Sequence, residues 1–189
     1  MFMFQVPTEK GKASWDEAHV EGLLASIAGG DKQALGELYH LTQAPLYAYL
    51  LSLLKNSADA RDALHDAYLD VYAAAGRYRP EGHSRAWLYA IAKNKAMMIF
   101  RRKRTWESSE EVEEEPWEAP ALCQEERMVL SAALNALSDE ERQIVMLHSV
   151  SGFRFREIAS FLQLPLNTVL SKHHRAMKRL RRQLSEEGI

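Results

Sequence analysis

Six cations, Lys172, Arg175, Lys178, Arg179, Arg181 and Arg182, fall within eleven residues near the C-terminus, and no Asp or Glu occurs between Ile158 and Leu184. A helix that is merely solvated usually mixes charge signs, so a run of one sign is the pattern of a surface that meets anions. Placing residues 166–184 at about 100° per residue separates two faces. Leu166, Val169, His173, Ala176, Leu180 and Leu184 fall on one side; Thr168, Ser171, Arg175, Lys178 and Arg182 lie opposite, flanked by Asn167, His174 and Arg179. One face packs, with His173 a packed histidine, and the other offers hydrogen-bonding groups first and cations later. That is the order in which a helix in the major groove reads base edges and then neutralises phosphates. A second chemical stripe, Asp59, Asp62, Asp66 and Asp70, also has helical spacing and suits a cationic partner surface, although an ordinary solvated face would look the same. No carboxylate cluster suggests a catalytic or metal centre, and Cys123 and His173-His174 lack ligand spacing. The chain is therefore read as a non-enzyme that needs no metal or cofactor.

The elements that must position these residues are helical. Phe155, Ile158, Ala159 and Leu162 sit at i, i+3, i+4 and i+7, and Pro165 biases Leu164 away from helical angles while suiting the first turn of a new helix. Two short helices meeting at a tight turn form a helix-turn-helix. Upstream, Ser14 with Glu17 resembles a capping box for a helix through Val20, Leu23, Leu24 and Ile27 that ends at Gly29-Gly30. Asp31 caps a second, with Leu35, Leu38, Tyr39 and Thr42 on its period, Pro45 interrupting or kinking it, and Leu46, Tyr49, Leu50, Leu53 and Leu54 resuming it. After Asn56-Ser57 a third carries Leu64, Ala67, Tyr68, Val71, Tyr72 and Ala75. Ser84 is expected to cap a fourth through Trp87, Leu88, Ile91, Ala92 and Ile99. Trp87 is read as core packing. Helices resume near Glu125, and Ser138 caps the one holding Ile144, Val145 and Leu147.

At 189 residues the chain is long enough for two small domains. Its net charge of −2 hides segregation: residues 77–104 carry nine basic residues against one acid, Glu81, and residues 106–126 carry nine glutamates and no Lys or Arg. Residues 105–123, with Pro116 and Pro120, read as a flexible acidic linker. The expected architecture is all-α, with helical domains at 15–104 and 124–184. One cysteine excludes an internal disulfide and fits a reducing compartment. The N-terminal segment is too short for a signal-peptide core and no segment approaches bilayer-spanning length, so a cytoplasmic protein without membrane insertion is expected.

The segments ADARDALHDAYLDVY, RYRPEGHSRAWLYAIAKNKAMMIFRRKR and ALSDEERQIVMLHSVSGFRFREIASFLQLPLNTVLSKHHRAMKRLR together resemble the extracytoplasmic-function class of bacterial RNA polymerase sigma factors. The resemblance covers roughly residues 20–104 and 124–184, in the order of a promoter-melting domain, a linker and a helix-turn-helix. It implies core RNA polymerase, promoter DNA and an anti-sigma factor as partners. The helix from Ser57 to Ala75 would dock on the β′ coiled coil through Asp59, Asp62, Asp66 and Asp70, and the C-terminal domain would meet the β flap. The loop from Tyr78 to Arg85 and the next helix would capture a flipped −10 base. Stacking on Tyr78, contacts from Arg77, Arg79, Arg85, Lys93 and Arg101, and a base-edge bond from Asn94 would offset the cost of extrusion. Recognition of the −35 element falls on Asn167, Thr168, Ser171, Lys172, His174 and Arg175, with Lys178 and Arg179 on phosphates.

Five positions depart from the family pattern: His65-Asp66 replaces a Gln-Glu pair, Met98 a polar residue, Leu170 a basic one and Gln163 a glycine. Because Gln tolerates left-handed angles poorly, a turn of different geometry is expected there. The acidic linker has two open readings, a self-repelling tether or, by the resemblance, a strand threading toward the RNA exit path. The rival functions are a recombinase or nuclease bearing a helix-turn-helix, and a regulator that binds DNA without joining polymerase; the latter leaves the RAWLYAIAKN domain without a task.

Overall fold

The computed structural model describes residues 16–106 and 124–186, and among these every regular element is helical. The order is α1 (Glu17–Ala28), α2 (Lys32–Leu54), α3 (Ser57–Ala74), a 3-10 turn (Ala75–Arg77) and α4 (Ser84–Trp106), then α5 (Gln124–Asn135), α6 (Asp139–Val145), a π-helical turn (Met146–Val150), α7 (Phe155–Leu162) and α8 (Leu166–Glu186). The chain divides into two compact units, one holding α1–α4 and the other α5–α8. The acidic segment and Cys123 lie outside the described residues, except that α4 continues through Thr105 and Trp106.

In the first unit α2, α3 and α4 pack on one another because their facing positions alternate large and small side chains. Ala60, Ala63 and Ala67 on α3 and Ala92 and Ala96 on α4 are buried, allowing close approach, while Leu38, Leu46, Tyr49, Leu50, Leu88 and Tyr89 fill the space. Tyr49 and Tyr89 meet with ring centroids 5.2 Å apart. A polar node joins α2 to α3: buried Thr42 donates its hydroxyl to the Leu38 carbonyl at 2.6 Å and lies 2.5 Å from the Tyr68 hydroxyl. Pro45 neither ends nor divides α2, which runs unbroken from Lys32 to Leu54. Neighbouring helices bury the following residues Leu46, Ala48, Tyr49, Leu50 and Leu51, and that tertiary packing outweighs one missing backbone hydrogen bond.

Two caps differ from expectation. Helix α1 starts at Glu17 with Asp16 as N-cap, its carboxylate accepting from Ala18 N at 3.1 Å; Ser14 lies outside the described residues. Ser84 is the first helical residue of α4, and its hydroxyl donates to Glu17 of α1 instead of capping its own helix. Asp31 caps α2 and Ser138 caps α6, the latter in a full capping box with Glu141.

In the second unit Leu134, Leu137, Ile144, Val145, Met146, Leu147, Phe153, Ile158, Val169, Ala176 and Leu180 form the core. Arg142 is 3% exposed and closes the α5–α6 corner by donating to the Leu134 and Leu137 carbonyls at 2.9 and 3.0 Å and to Asp139 at 3.2 Å. The turn between α7 and α8 forms on Gln163, at φ 56° and ψ 42°. The expected change of turn geometry does not occur: Gln163 takes the left-handed angles itself, and Gln163 N and Leu164 N close the helix end on the Ser160 and Ala159 carbonyls at 3.2 and 2.9 Å.

Candidate nucleic-acid interface

On α8 the two faces separate as the spacing requires. Val169, Ala176 and Leu180 are buried, whereas Asn167, Ser171, His174, Arg175, Lys178, Arg181 and Arg182 are exposed and Thr168 is half-buried near the helix start. Arg175, Lys178, Arg179 and Arg182 line one shallow hollow. Leu170, 41% exposed, puts an apolar side chain on the flank of α8, between the buried face and the cationic one.

Two of the expected DNA-binding cations already have partners. Lys172 pairs with Glu140 at 2.8 Å, and Arg179 pairs at 2.8 Å with Glu141, whose side chain is only 6% exposed. Burial pushes the Glu141 carboxyl upward, but hydrogen bonds from Ser138 and the charges of Arg179 and Arg175 outweigh it and hold the group below the usual carboxylate range. Glu141 therefore fixes the start of α6 and the middle of α8 at once. His173 is packed, as expected: its ring meets Phe155 and His148 at centroid distances of 4.9 and 5.0 Å, and its Nε2 is buried without a hydrogen-bond partner. Burial first, then His148 and His174, lower its pKa to about 4.

In the first unit the residues named for base capture cluster on one loop and one helix. Arg77, Arg79, Asn94 and Arg101 are exposed, and Met98 is 58% exposed beside them on α4. Others turn inward. Tyr78 is half-buried, donates its hydroxyl to Glu21 Oε1 at 2.7 Å and packs its ring against Trp87 at 5.0 Å, so its stacking surface is partly occupied. Arg85 is 15% exposed and paired with Glu17 at 3.5 Å. Burial lowers the Lys93 pKa. Sequence reasoning missed Glu17 and Glu21; the available signal was two carboxylates at i and i+4 on the border of the α1 apolar face, but nothing in the sequence says what such a pair will meet.

The acidic stripe of α3 divides. Asp62 and Asp66 are exposed and make no ion pair with a described residue, while Asp59 binds Lys103 at 2.5 Å and Asp70 binds Lys95 at 2.7 Å. Beside the two open carboxylates stand Leu69 and Tyr72, 55% and 41% exposed. Among the described residues there is no His, Cys, Asp and Glu grouping able to hold a metal ion, and no helix long and apolar enough to cross a membrane.

Residues 38–106 match the family model for Sigma-70 region 2, and residues 127–180 match that for Sigma-70, region 4. Curated relatives include the ECF RNA polymerase sigma factor SigK of Mycobacterium tuberculosis strain H37Rv, 25% identical over 171 residues, covering 86% of this chain and 91% of the relative. SigM of M. tuberculosis strain Erdman, another ECF RNA polymerase sigma factor, is 28% identical over 162 residues, covering 86% and 83%. Among solved structures, CnrH in complex with the cytosolic domain of CnrY shares the fold at a TM-score of 0.68 and 22% identity, covering 90% of this chain and 99% of that one. The sigma factor RpoE in complex with the anti-sigma factor NepR from Bartonella quintana does so at 0.65 and 24%, covering 79% and 96%.

Proposed function

The chain belongs to the extracytoplasmic-function class of sigma-70 family RNA polymerase sigma factors, and from that premise we propose that its two helical units divide promoter recognition between them. The unit of α1–α4, with the span 15–104, binds core polymerase and opens the −10 region; the unit within 124–184 docks on the −35 element; residues 105–123 tether them. The observation that carries this reading is that each unit bears its own exposed cationic surface, on the 77–85 loop with α4 and on α8, within a matched sigma region.

Core polymerase docks on the α3 face of Asp62, Asp66, Leu69 and Tyr72, which offers charge for a basic β′ coiled coil and apolar area at its centre. The second unit meets the β flap. Asn167, Ser171, His174 and Arg175 face base edges of the −35 element, and Lys178 neutralises phosphate. The loop and α4 hold the extruded −10 base, with Asn94 on its edge and Arg77, Arg79 and Arg101 along the strand. An anti-sigma factor is a further partner, since the RpoE fold relative was solved with one. The chain acts as a transcription initiation factor in the cytoplasm and not as an enzyme. Run-off transcription with purified core polymerase on a panel of native promoters tests the reading: transcripts that start at defined sites only when the chain is added support it. DNA binding without core recruitment or transcription would leave a regulator instead.

A further inference from the structure

The segment between the 3-10 turn and α4 has no ladder of its own. It contains Pro80, which lacks an N–H, and Gly82 at φ +74°, so neither helix nor sheet can satisfy its backbone. Two carboxylates from α1 accept two of its N–H groups and two of its side-chain hydroxyls. Glu21 Oε1 accepts from the Tyr78 hydroxyl and from Gly82 N, each at 2.7 Å. One turn earlier, Glu17 Oε2 accepts from the Ser84 hydroxyl and from Arg85 N at 3.3 Å, while its Oε1 pairs with Arg85 Nε at 3.5 Å. Both ends and the middle of the loop are thus tied to one helix turn. Burial first, and then the Glu21 carboxylate, drive the Tyr78 phenol above its ordinary range, which keeps it a donor to Glu21.

Carboxylates beneath a surface that meets nucleic acid would repel it if their lone pairs faced outward. Here Glu21 Oε1 and both Glu17 oxygens are taken up by loop donors, and the cations Arg77, at the end of the 3-10 turn, and Arg79, on the loop, stay exposed. We infer that Glu17 and Glu21 are positioning residues, which hold the 78–85 loop in the shape that takes up the unpaired base, so that promoter opening does not have to order the loop first. This rests on the reading of that loop as the melting element. A loop ordered in advance spares the ordering cost at the moment of capture, and each lost charge-assisted bond raises it.

The test uses the full chain bound to core polymerase. Glu21→Ala removes both loop contacts, Glu21→Gln retains an acceptor, and Tyr78→Phe removes one donor only. Amide hydrogen exchange across residues 78–85 reads the loop without DNA, and permanganate reactivity on duplex promoter reads opening. Glu21→Ala should speed exchange and slow opening by about tenfold, Tyr78→Phe should do so partially, Glu21→Gln should restore most of both, and closed-complex binding should be unchanged throughout. Unchanged exchange in Glu21→Ala overturns the clamp. Faster exchange with normal opening, beside a Tyr78→Ala, Asn94→Ala chain that opens slowly, overturns the positioning role. Normal opening in both chains overturns instead the reading of the loop as the melting element.

Discussion

Around the 78–85 loop, Tyr78, Arg85 and two backbone N–H groups are held from below by Glu17 and Glu21, whereas along α8 the reading side keeps Asn167, His174, Arg175 and Lys178 open to solvent. The difference follows from what holds each backbone. A helix satisfies its own hydrogen bonds and leaves its side chains free to be read out. A loop without that ladder must recruit side chains to define its shape, and those side chains are then unavailable to a partner. A surface that enters a preformed groove can be a helix, while one that accepts a single extruded base needs a shaped hollow.

The largest effect that would separate the two surfaces is the loss of one unit with the other intact. Arg142→Ala strands the buried Leu134 and Leu137 carbonyls at the α5–α6 corner and should destabilise the second unit by about 1–3 kcal/mol for each. The variant should lose −35-dependent binding yet retain binding to a fork-junction probe carrying only the −10 strand, with the two units melting at separate temperatures by calorimetry. Next, Tyr78→Ala with Asn94→Ala should lower permanganate reactivity near the −10 element by roughly tenfold or more while leaving closed-complex binding intact, and a pre-melted bubble should recover part of the transcription. Normal opening here, with slow opening in Glu21→Ala, would move the melting contacts to the exposed Arg77 and Arg79.

On α8 the expected change is of similar kind and smaller size. Arg175→Ala should cost about 1–3 kcal/mol in −35 binding and relax base preference, and Lys178→Ala should weaken all sequences alike. Altered preference in His173→Ala with none in Arg175→Ala would reverse the assignment of faces. Charge reversal of Asp62 and Asp66 together should weaken core binding several-fold at low salt, as an exposed charge pair set allows, with the circular dichroism spectrum unchanged. Asp70 is unsuited to that test because it holds Lys95.

The second unit also carries a pH dependence. His173, lowered to about 4 in the fold, stays neutral while the unfolded chain takes up a proton below its ordinary value near 6.5. The unfolded state then binds more protons, so stability falls as pH drops from about 6.5 toward about 4 and levels below. His173→Leu should flatten that part of the curve in a thermal-melt series.

The helical periods and the segregation of charge were legible from the residues alone. Val169, Ala176 and Leu180 bury on the face their spacing assigned, His173 packs with them, and α3 begins at Ser57. What could not be read was the partner of each charge. Lys172, Arg179, Lys95 and Lys103 sat in basic runs that looked free, yet each meets a carboxylate from another helix, and long-range pairing leaves no periodic trace. Ser84 had the residue type of a cap and is diverted by Glu17, 67 positions away. At Gln163 local preference was overruled, since two backbone hydrogen bonds and the packing of α7 on α8 depend on the left-handed turn.

The pairing of Lys172 with Glu140 and Arg179 with Glu141 also bears on how the protein responds to ionic strength. Affinity gained by releasing condensed cations from DNA scales with the phosphates newly neutralised, at a logarithmic slope of about −0.9 for each. Lys172 and Arg179 bring their own anions to the complex and release little. Promoter docking through this helix should therefore decline less steeply with salt, by about two units of slope, than its arginines and lysines would suggest.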